Sequence, residues 1–287
     1  MNYQDFRFGL YEKALPQNLG WLERLTQAKE AGYTFMEISI DETDEKLERL
    51  NWDLGKKNQL QSDIQESGIP LLSLCLSGHK RFPIGSANRE VRSRGMEIMF
   101  KAIRFASDLG IRIIQLAGYD VLMDEKSTAE TRENYLANLK RSVRFAAGRG
   151  VVLAMENIGM SFINSISQAG KIVRELCSPY LQIYADVGNL SAVNLDLKQE
   201  LQAEICHIVG FHIKDTREGE IRRVPFGKGT VDFVSAFQVI RETGFFGFFL
   251  VEMWADNNPN AFENARDARL WLLNKINLAW SLCDRHK

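Results

Sequence analysis

Short apolar segments alternate along the chain with longer segments whose apolar residues recur at helical spacing. The apolar segments are rich in Val, Ile, Leu and Phe, which predicts strands that are buried on both faces. Strands are predicted at residues 7–10, 35–40, 71–76, 113–116, 151–155, 181–185, 208–213 and 246–251. Helices are predicted at residues 16–31, 51–66, 88–109, 128–149, 167–176, 197–205, 231–243 and 261–283.

Eight predicted strands, each followed by a helix, favour an α/β fold in which a parallel sheet closes into a (β/α)8 TIM barrel. The length of 287 residues suits one such barrel, since typical examples have about 250 residues. We therefore expect a single domain over residues 1–287. The first βα turn lacks the G-x-G-x-x-G fingerprint, which argues against a Rossmann domain.

Composition and charge exclude several classes of protein. Lys and Arg number 36 against 37 Asp and Glu, so the formal net charge is −1 and no global field attracts nucleic acid or an anionic membrane. The four cysteines form no CxxC pair, which argues against a disulfide framework and a thiolate zinc site. The N-terminal segment lacks the basic and apolar regions of a signal peptide, and no apolar run reaches the roughly 18 residues of a membrane span. A soluble cytoplasmic protein is expected.

Polar side chains stand at the carboxyl ends of the last four predicted strands. Glu156 and Asp186 follow strands five and six, His212 lies near the end of strand seven, and Glu252 follows strand eight. These strand ends meet at one mouth of a parallel barrel, where active sites lie. One such carboxylate alone is more often a solvated loop residue or a helix cap, and a lone histidine is more often structural. Four on successive strands favour a shared site.

Three carboxylates and an imidazole are typical ligands of a divalent cation. Without a cation the carboxylates would repel one another and at least one pKa would rise strongly. We therefore expect Glu156, Asp186, His212 and Glu252 to bind one metal ion. The residue types leave Mn²⁺, Mg²⁺, Co²⁺ and Zn²⁺ open, and Zn²⁺ or Mn²⁺ is our expectation.

The segments around these residues resemble the xylose isomerase-like TIM-barrel superfamily. They read MEN at 155–157, DVGN at 186–189, FHIKD at 211–215 and VEMW at 251–254. Longer loop segments are more specific and resemble the L-ribulose-5-phosphate 3-epimerases, also called L-xylulose-5-phosphate 3-epimerases, of bacterial ascorbate and gulonate catabolism. They read YEKALP at 11–16, DETD at 41–44, CLS at 75–77, RFP at 81–83, IQLAGYDV at 114–121 and GNLSA at 188–192.

The resemblance implies metal-dependent epimerisation at C3 of a ketopentose 5-phosphate, through removal and return of a proton and a cis-enediolate. It implies that Glu156 and Glu252, both also metal ligands, exchange the proton on opposite faces of the sugar. The direction of reaction decides which one is the base. Asp186 and His212 would complete the metal site. Barrels of this superfamily are often dimers, so a homodimer is compatible with the resemblance.

Two loops offer cationic side chains or N–H donors to the phosphate. One follows strand three and carries His79 and Arg81, and the other is the Gly-Lys-Gly-Thr turn at 227–230 with Lys228. For each cation alone, ordinary exposed charge is the more frequent explanation. The family pattern has Glu at the position of Lys228, so this side chain departs from it. His79, Arg81, Gln115, Arg217 and Lys228 are the candidate substrate-binding residues.

Three other functions fit the same barrel less well. A sugar isomerase would use the same ion but move the carbonyl between C1 and C2. A sugar-phosphate sensor would bind without turnover, which the intact pair of glutamates argues against. An abasic-site endonuclease would need several more histidines than the four present, together with a basic surface.

Overall fold

The computed structural model describes residues 7–122, 125–159 and 161–284. Eight strands form a barrel: β1 (Arg7–Tyr11), β2 (Phe35–Ile40), β3 (Leu71–Leu76), β4 (Ile113–Ala117), β5 (Val152–Glu156), β6 (Leu181–Asp186), β7 (Ile208–Ile213) and β10 (Phe248–Val251). The barrel closes in the order β1-β10-β7-β6-β5-β4-β3-β2, and every neighbouring pair runs parallel. The predicted (β/α)8 barrel is thereby confirmed.

Helices surround the barrel and bury their apolar faces against it. They are α1 (Trp21–Glu30), α2 (Asp44–Glu48), α3 (Leu54–Ser67), α4 (Arg89–Asp108), α5 (Ala129–Ala147), α6 (Ile166–Leu176), α7 (Val187–Ala192), α8 (Leu197–Glu204), α9 (Phe233–Glu242) and α10 (Ala261–Asp284). The single domain expected over residues 1–287 includes residues 1–6 and 285–287. Residues 1–6 also belong to the N-terminal segment that was expected not to be a signal peptide. They lie outside the described residues.

The structure differs from the predicted elements in several places. The first helix begins at Trp21 instead of residue 16, with Gly20 at its N-cap. The second predicted helix, α3, begins at Leu54 instead of residue 51 because the Asp53 side chain caps it, accepting the Lys56 N–H at 2.9 Å. The short helices α2 and α7 were not predicted. A two-stranded antiparallel hairpin, β8 (Asp215–Arg217) with β9 (Glu220–Val224), stands between β7 and α9 where a loop was expected.

Aromatic side chains fill the interior of the barrel. The Phe35 and Phe248 rings meet edge to face at 5.3 Å, and Tyr184 lies against Phe248 at 5.5 Å. Two glycines make room for these rings, because a Cβ on Gly9 would lie 2.0 Å from Phe35 and one on Gly210 would lie 2.4 Å from Phe248. The result is a solid floor beneath the mouth of the barrel.

Among the residues that the structure describes, no helix combines the length and the apolar composition that crossing a membrane requires.

Candidate functional site

Glu156, Asp186, His212 and Glu252 meet at the mouth of the barrel, and we call them the acid cluster. One ligand atom from each lies within 4.8 Å of those of the other three. All four are buried, with Glu252 the most accessible at 9%. The convergence follows from the topology, because β5, β6, β7 and β10 are consecutive in the barrel. The Glu252 N–H donates to the Ile213 carbonyl at 2.9 Å, which ties the end of β10 to β7.

The His212 ring is held from behind by a second carboxylate. Its Nε2 lies 3.2 Å from Glu37 Oε1. Glu37 is itself fixed, since its Oε2 accepts from the Ser73 hydroxyl at 2.6 Å and the Tyr184 hydroxyl at 3.2 Å. Donation from Nε2 to Glu37 directs Nδ1 into the acid cluster, where it lies 3.1 Å from Glu156 Oε1. A carboxylate behind a histidine is typical of metal-binding imidazoles.

Lys214 brings a positive charge into the acid cluster. Its Nζ lies 2.7 Å from Asp186 Oδ2, 2.8 Å from Glu252 Oε2 and 4.0 Å from Glu156 Oε1. Against one ammonium stand three carboxylates, so ionisation of all three leaves an excess of negative charge. A divalent cation would neutralise that excess, and these residues therefore fit such an ion.

The pKa values of the cluster reflect the same crowding. Burial, together with the charges of Glu156 and Glu252, raises the pKa of Asp186 to about 7 even though Lys214 opposes the shift. Burial also disfavours ionised Glu156, but His212 and Lys214 outweigh it and lower the Glu156 pKa to about 2. For His212, burial opposes the charged form, yet Glu37 and Glu156 raise its pKa well above the ordinary value. The site thus attracts positive charge.

Two buried amides border the cluster. Gln115 donates from Nε2 to Glu156 Oε2, which fixes that carboxylate. Asn189 donates from its backbone N–H to Asp186 Oδ1 at 2.7 Å and from Nδ2 to the Asn157 carbonyl at 2.8 Å. Within the described residues, Gln115 Oε1 and Asn189 Oδ1 have no hydrogen-bond partner. Both oxygens therefore keep an unused capacity to accept a hydrogen bond.

The other substrate-binding candidates already have partners or stand exposed. Buried His79 pairs through Nε2 with the Gly95 carbonyl at 3.1 Å, and burial lowers its pKa to about 4, which makes it a neutral ring at physiological pH. Arg81 pairs with Asp44 at 2.7 Å on the surface. Arg217 pairs with Glu220 at 2.6 Å, also on the surface. Lys228 is exposed.

The turn at 227–230 does not offer the N–H donors that the sequence suggested for phosphate. The Asp215 carboxylate already accepts from the backbone N–H groups of Gly227 and Gly229, both at 2.9 Å. It also accepts from Val231 at 3.4 Å. These N–H groups therefore fix the turn on β8, and phosphate binding by the turn stays a prediction that depends on the Lys228 side chain.

Lys214 is a site residue that the sequence analysis did not name as a candidate. Side chains alternate between the two faces of a strand, so residue 214 projects to the same side as residue 212. This alternation is the feature of the sequence that could have identified Lys214 as a site residue.

Comparisons with known proteins agree with the fold and identify relatives of the chain. A family model described as xylose isomerase-like TIM barrel matches residues 25–275. The L-ribulose-5-phosphate 3-epimerase UlaE of Salmonella heidelberg (strain SL476) is 48% identical over 264 residues, which cover 92% of this chain and 93% of that protein. The protein of the same name from Escherichia coli O157:H7 is 47% identical with the same coverage.

Solved structures share the architecture at low sequence identity. An L-ribulose 3-epimerase superposes with a TM-score of 0.80 at 18% identity, covering 98% of each chain. The D-allulose 3-epimerase of Methylomonas sp., in complex with D-allulose, gives a TM-score of 0.77 at 17% identity and covers 94% of this chain and 97% of that one. At such identities the likeness shows a common fold.

Proposed function

The chain belongs to the xylose isomerase-like TIM barrel family and is an isomerase of the 3-epimerase type, and from that premise we propose that it interconverts L-xylulose 5-phosphate and L-ribulose 5-phosphate. The proposal carries the reaction named for its curated relatives over to this chain. The bacterial catabolism of ascorbate and gulonate is the proposed metabolic setting, which the loop resemblance supports.

One observation supports the chemistry above all others: Glu156 and Glu252 approach one centre from different sides. They come from β5 and from the end of β10, with β6 and β7 between them. His212 Nδ1 lies close to both, 3.1 Å from Glu156 and 3.8 Å from Glu252. A sugar bound at this centre would present opposite faces of C3 to the two carboxylates.

Each glutamate is prepared to act as a base. Burial opposes ionisation of Glu252, but Lys214 and His212 lower its pKa, and Glu156 is also held ionised. One carboxylate removes the C3 proton, which is acidified by the C2 carbonyl, and gives an enediolate. The other glutamate returns a proton to the opposite face, and it must first take up that proton from water because both carboxylates are ionised in the free enzyme. The roles exchange when the opposite epimer is bound.

The residues of the acid cluster would hold one divalent ion, for which we propose Zn²⁺ or Mn²⁺. When bound, such an ion supplies Lewis-acid stabilisation of the negative charge that develops as the C3 proton leaves. Gln115 and Asn189 would orient sugar hydroxyls through their free carbonyl oxygens. Lys214 Nζ would hold Asp186 and Glu252 in place.

Proton exchange in D₂O tests this proposal. L-Ribulose 5-phosphate is incubated with metal-supplemented enzyme and the products are followed by NMR. We expect L-xylulose 5-phosphate carrying deuterium at C3, whereas deuterium at C1 would indicate an aldose–ketose isomerase and contradict the proposal.

Variants of the two glutamates test whether both take part in proton transfer. Glu156→Gln and Glu252→Gln should each reduce epimerisation by roughly 10² to 10⁴-fold, the range for loss of a general acid or base. Each should still exchange the C3 hydrogen of the one epimer that faces the remaining carboxylate. Glu133→Gln, on the exposed face of α5, is the matched control. Epimerisation at the wild-type rate in either active-site variant would remove that glutamate from the mechanism.

A further inference from the structure

Two cavities open at the mouth of the barrel, and a single wall lies between them. The larger cavity, of about 520 Å³, is lined by Glu252 and Lys214. The smaller one, of about 400 Å³, lies among the segments that follow β1, β2 and β3. Four residues line both cavities, and we call them the shared wall: Arg223, Trp254, Ala255 and Asp256.

The shared wall joins two segments that are far apart in sequence. Arg223 belongs to β9 of the hairpin, whereas the other three residues follow β10. Arg223 Nη2 donates to Asp256 Oδ1 at 2.9 Å, and Arg223 Nε donates to Asp256 Oδ2. We propose that Arg223 and Asp256 are positioning residues, whose two-pronged pair holds the hairpin against the segment after β10 and fixes Trp254 beside Glu252. The proposal rests on the proposed function, because the shared wall borders the site of that reaction.

Trp254 is held from two sides. The Tyr11 ring meets it edge to face at 6.1 Å, and the guanidinium carbon of Arg223 lies 5.7 Å from the centroid of the Trp254 ring. Tyr11 is buried, and its hydroxyl lies 3.0 Å from Ser39 Oγ, so its side of the contact is fixed by the barrel. The other side depends on Arg223. Because Trp254 follows Glu252 by two residues, displacement of its ring would move the wall next to that carboxylate.

The hairpin is anchored at its base but has few polar attachments farther out. At the base, the Thr216 hydroxyl donates to the Gly188 carbonyl at 2.9 Å. Over residues 217–223, and counting only the part of the chain that the structure describes, Arg223 is the one residue whose side chain hydrogen-bonds to another segment. The polar attachment of the outer hairpin to the barrel therefore runs through Asp256.

The backbone of both partners adopts a conformation that residues with side chains rarely show. The φ angle is 62° at Arg223, 42° at Asp256 and 63° at Asn257. Such left-handed conformations cost free energy and persist only where the surrounding contacts hold them. Here those contacts include the ion pair and the bond from the Ala255 N–H to the Lys13 carbonyl, at 2.8 Å. Loss of the pair should therefore loosen the hairpin and the segment after β10 together.

The geometry of the pair distinguishes it from most ion pairs at the surface. The side chains of Arg223 and Asp256 are 56% and 48% exposed, and pairs at such positions usually contribute little to stability. Parallel donation from a guanidinium to both carboxylate oxygens is the stronger case. The hydrogen bonds between the two raise the pKa of Arg223 and lower the pKa of Asp256, so both stay charged at physiological pH. We expect the pair to shift the equilibrium between closed and open hairpin by roughly fivefold, the upper end for exposed pairs.

Hydrogen exchange in the metal-supplemented enzyme tests the pair without any turnover. Wild type is compared with Arg223→Gln, Asp256→Asn and the double variant, and exchange of the Ala255 amide is followed by mass spectrometry. Each single variant should speed this exchange roughly fivefold, and the double variant should match Arg223→Gln, because the two side chains act through one another. In about 1 M NaCl, where the Debye length is roughly 3 Å, wild type should approach the variants. Glu218→Gln, exposed in the turn of the hairpin, is the matched control and should exchange like wild type.

Steady-state kinetics of the same variants separate positioning from catalysis. KM for L-ribulose 5-phosphate should rise roughly fivefold in Arg223→Gln and Asp256→Asn, while kcat should change less than about twofold because neither side chain belongs to the acid cluster. An unchanged exchange rate at Ala255, a double variant whose effect is the product of the single effects, or an unchanged KM would each overturn the inference. If the exchange results hold but wild type forms no C3 epimer, the proposed function fails while the attachment of the hairpin through Arg223 and Asp256 stands.

Discussion

The buried network around Glu12 allows a quantitative prediction of stability. The Glu12 side chain is fully buried and faces three cations, and its Oε2 accepts the Ser39 N–H at 2.7 Å. Burial alone would raise its pKa, but Arg49 and Lys46 lower it from 4.5 to about 2. Such a difference between unfolded and folded states corresponds to about 3 kcal/mol of stability at neutral pH.

Glu12→Gln keeps the shape of the side chain and removes its charge, which leaves three cations facing one another. Removing one partner of a buried ion pair costs roughly 3–5 kcal/mol, in agreement with the value from the pKa. We expect the melting temperature at pH 7 to fall by roughly 5–10 °C. Glu30→Gln, an exposed glutamate at the end of α1, is the control and should melt like wild type.

The way in which the contribution of Glu12 to stability changes with pH follows from the direction of its pKa shift. Because the folded pKa lies below the unfolded one, the contribution of Glu12 is complete above about pH 4.5 and is lost as the pH falls towards 2. The difference in unfolding free energy between wild type and Glu12→Gln should therefore shrink to roughly 1 kcal/mol near pH 3. A Glu12→Gln protein within about 0.5 kcal/mol of wild type at pH 7, or a difference that stays constant with pH, would refute the reasoning.

Two further predictions concern the support of the site and the packing of the helices. Glu37→Gln should weaken Zn²⁺ binding roughly 10- to 100-fold in calorimetric titration, because Glu37 orients the His212 ring; an affinity equal to that of wild type would argue against this role. Gly95→Ala should destabilise the protein by roughly 1–3 kcal/mol in thermal melts, since the added Cβ would lie 2.3 Å from the Phe82 carbonyl oxygen. Gly148→Ala, whose nearest neighbour would be 3.7 Å away, should melt within a degree or two of wild type, and equal behaviour of the two alanine variants would contradict the packing argument.

The barrel could be predicted because its signals are local. Each strand is a short apolar run and each helix an amphipathic segment, and their alternation determines how parallel strands can be connected. The place of Glu156, Asp186, His212 and Glu252 at one mouth then follows from that topology.

The hairpin could not be predicted in the same way. Strands β8 and β9 are short and polar, so the apolar pattern gives no sign of them, although Gly219, with a φ of 72°, marks their turn. Arg222, on β9, lines the same cavity as Lys80 because the hairpin lies over the mouth. This proximity depends on tertiary structure, and a local pattern of charge cannot reveal it.

Anomalous X-ray diffraction from crystals of the zinc-loaded enzyme tests the central claim most directly. We predict a single strong peak at the mouth of the barrel, at roughly 2.0–2.2 Å from ligand atoms of Glu156, Asp186, His212 and Glu252. A zinc-replete protein whose peak lies elsewhere, or lies beyond coordination distance of these four side chains, would contradict the claim.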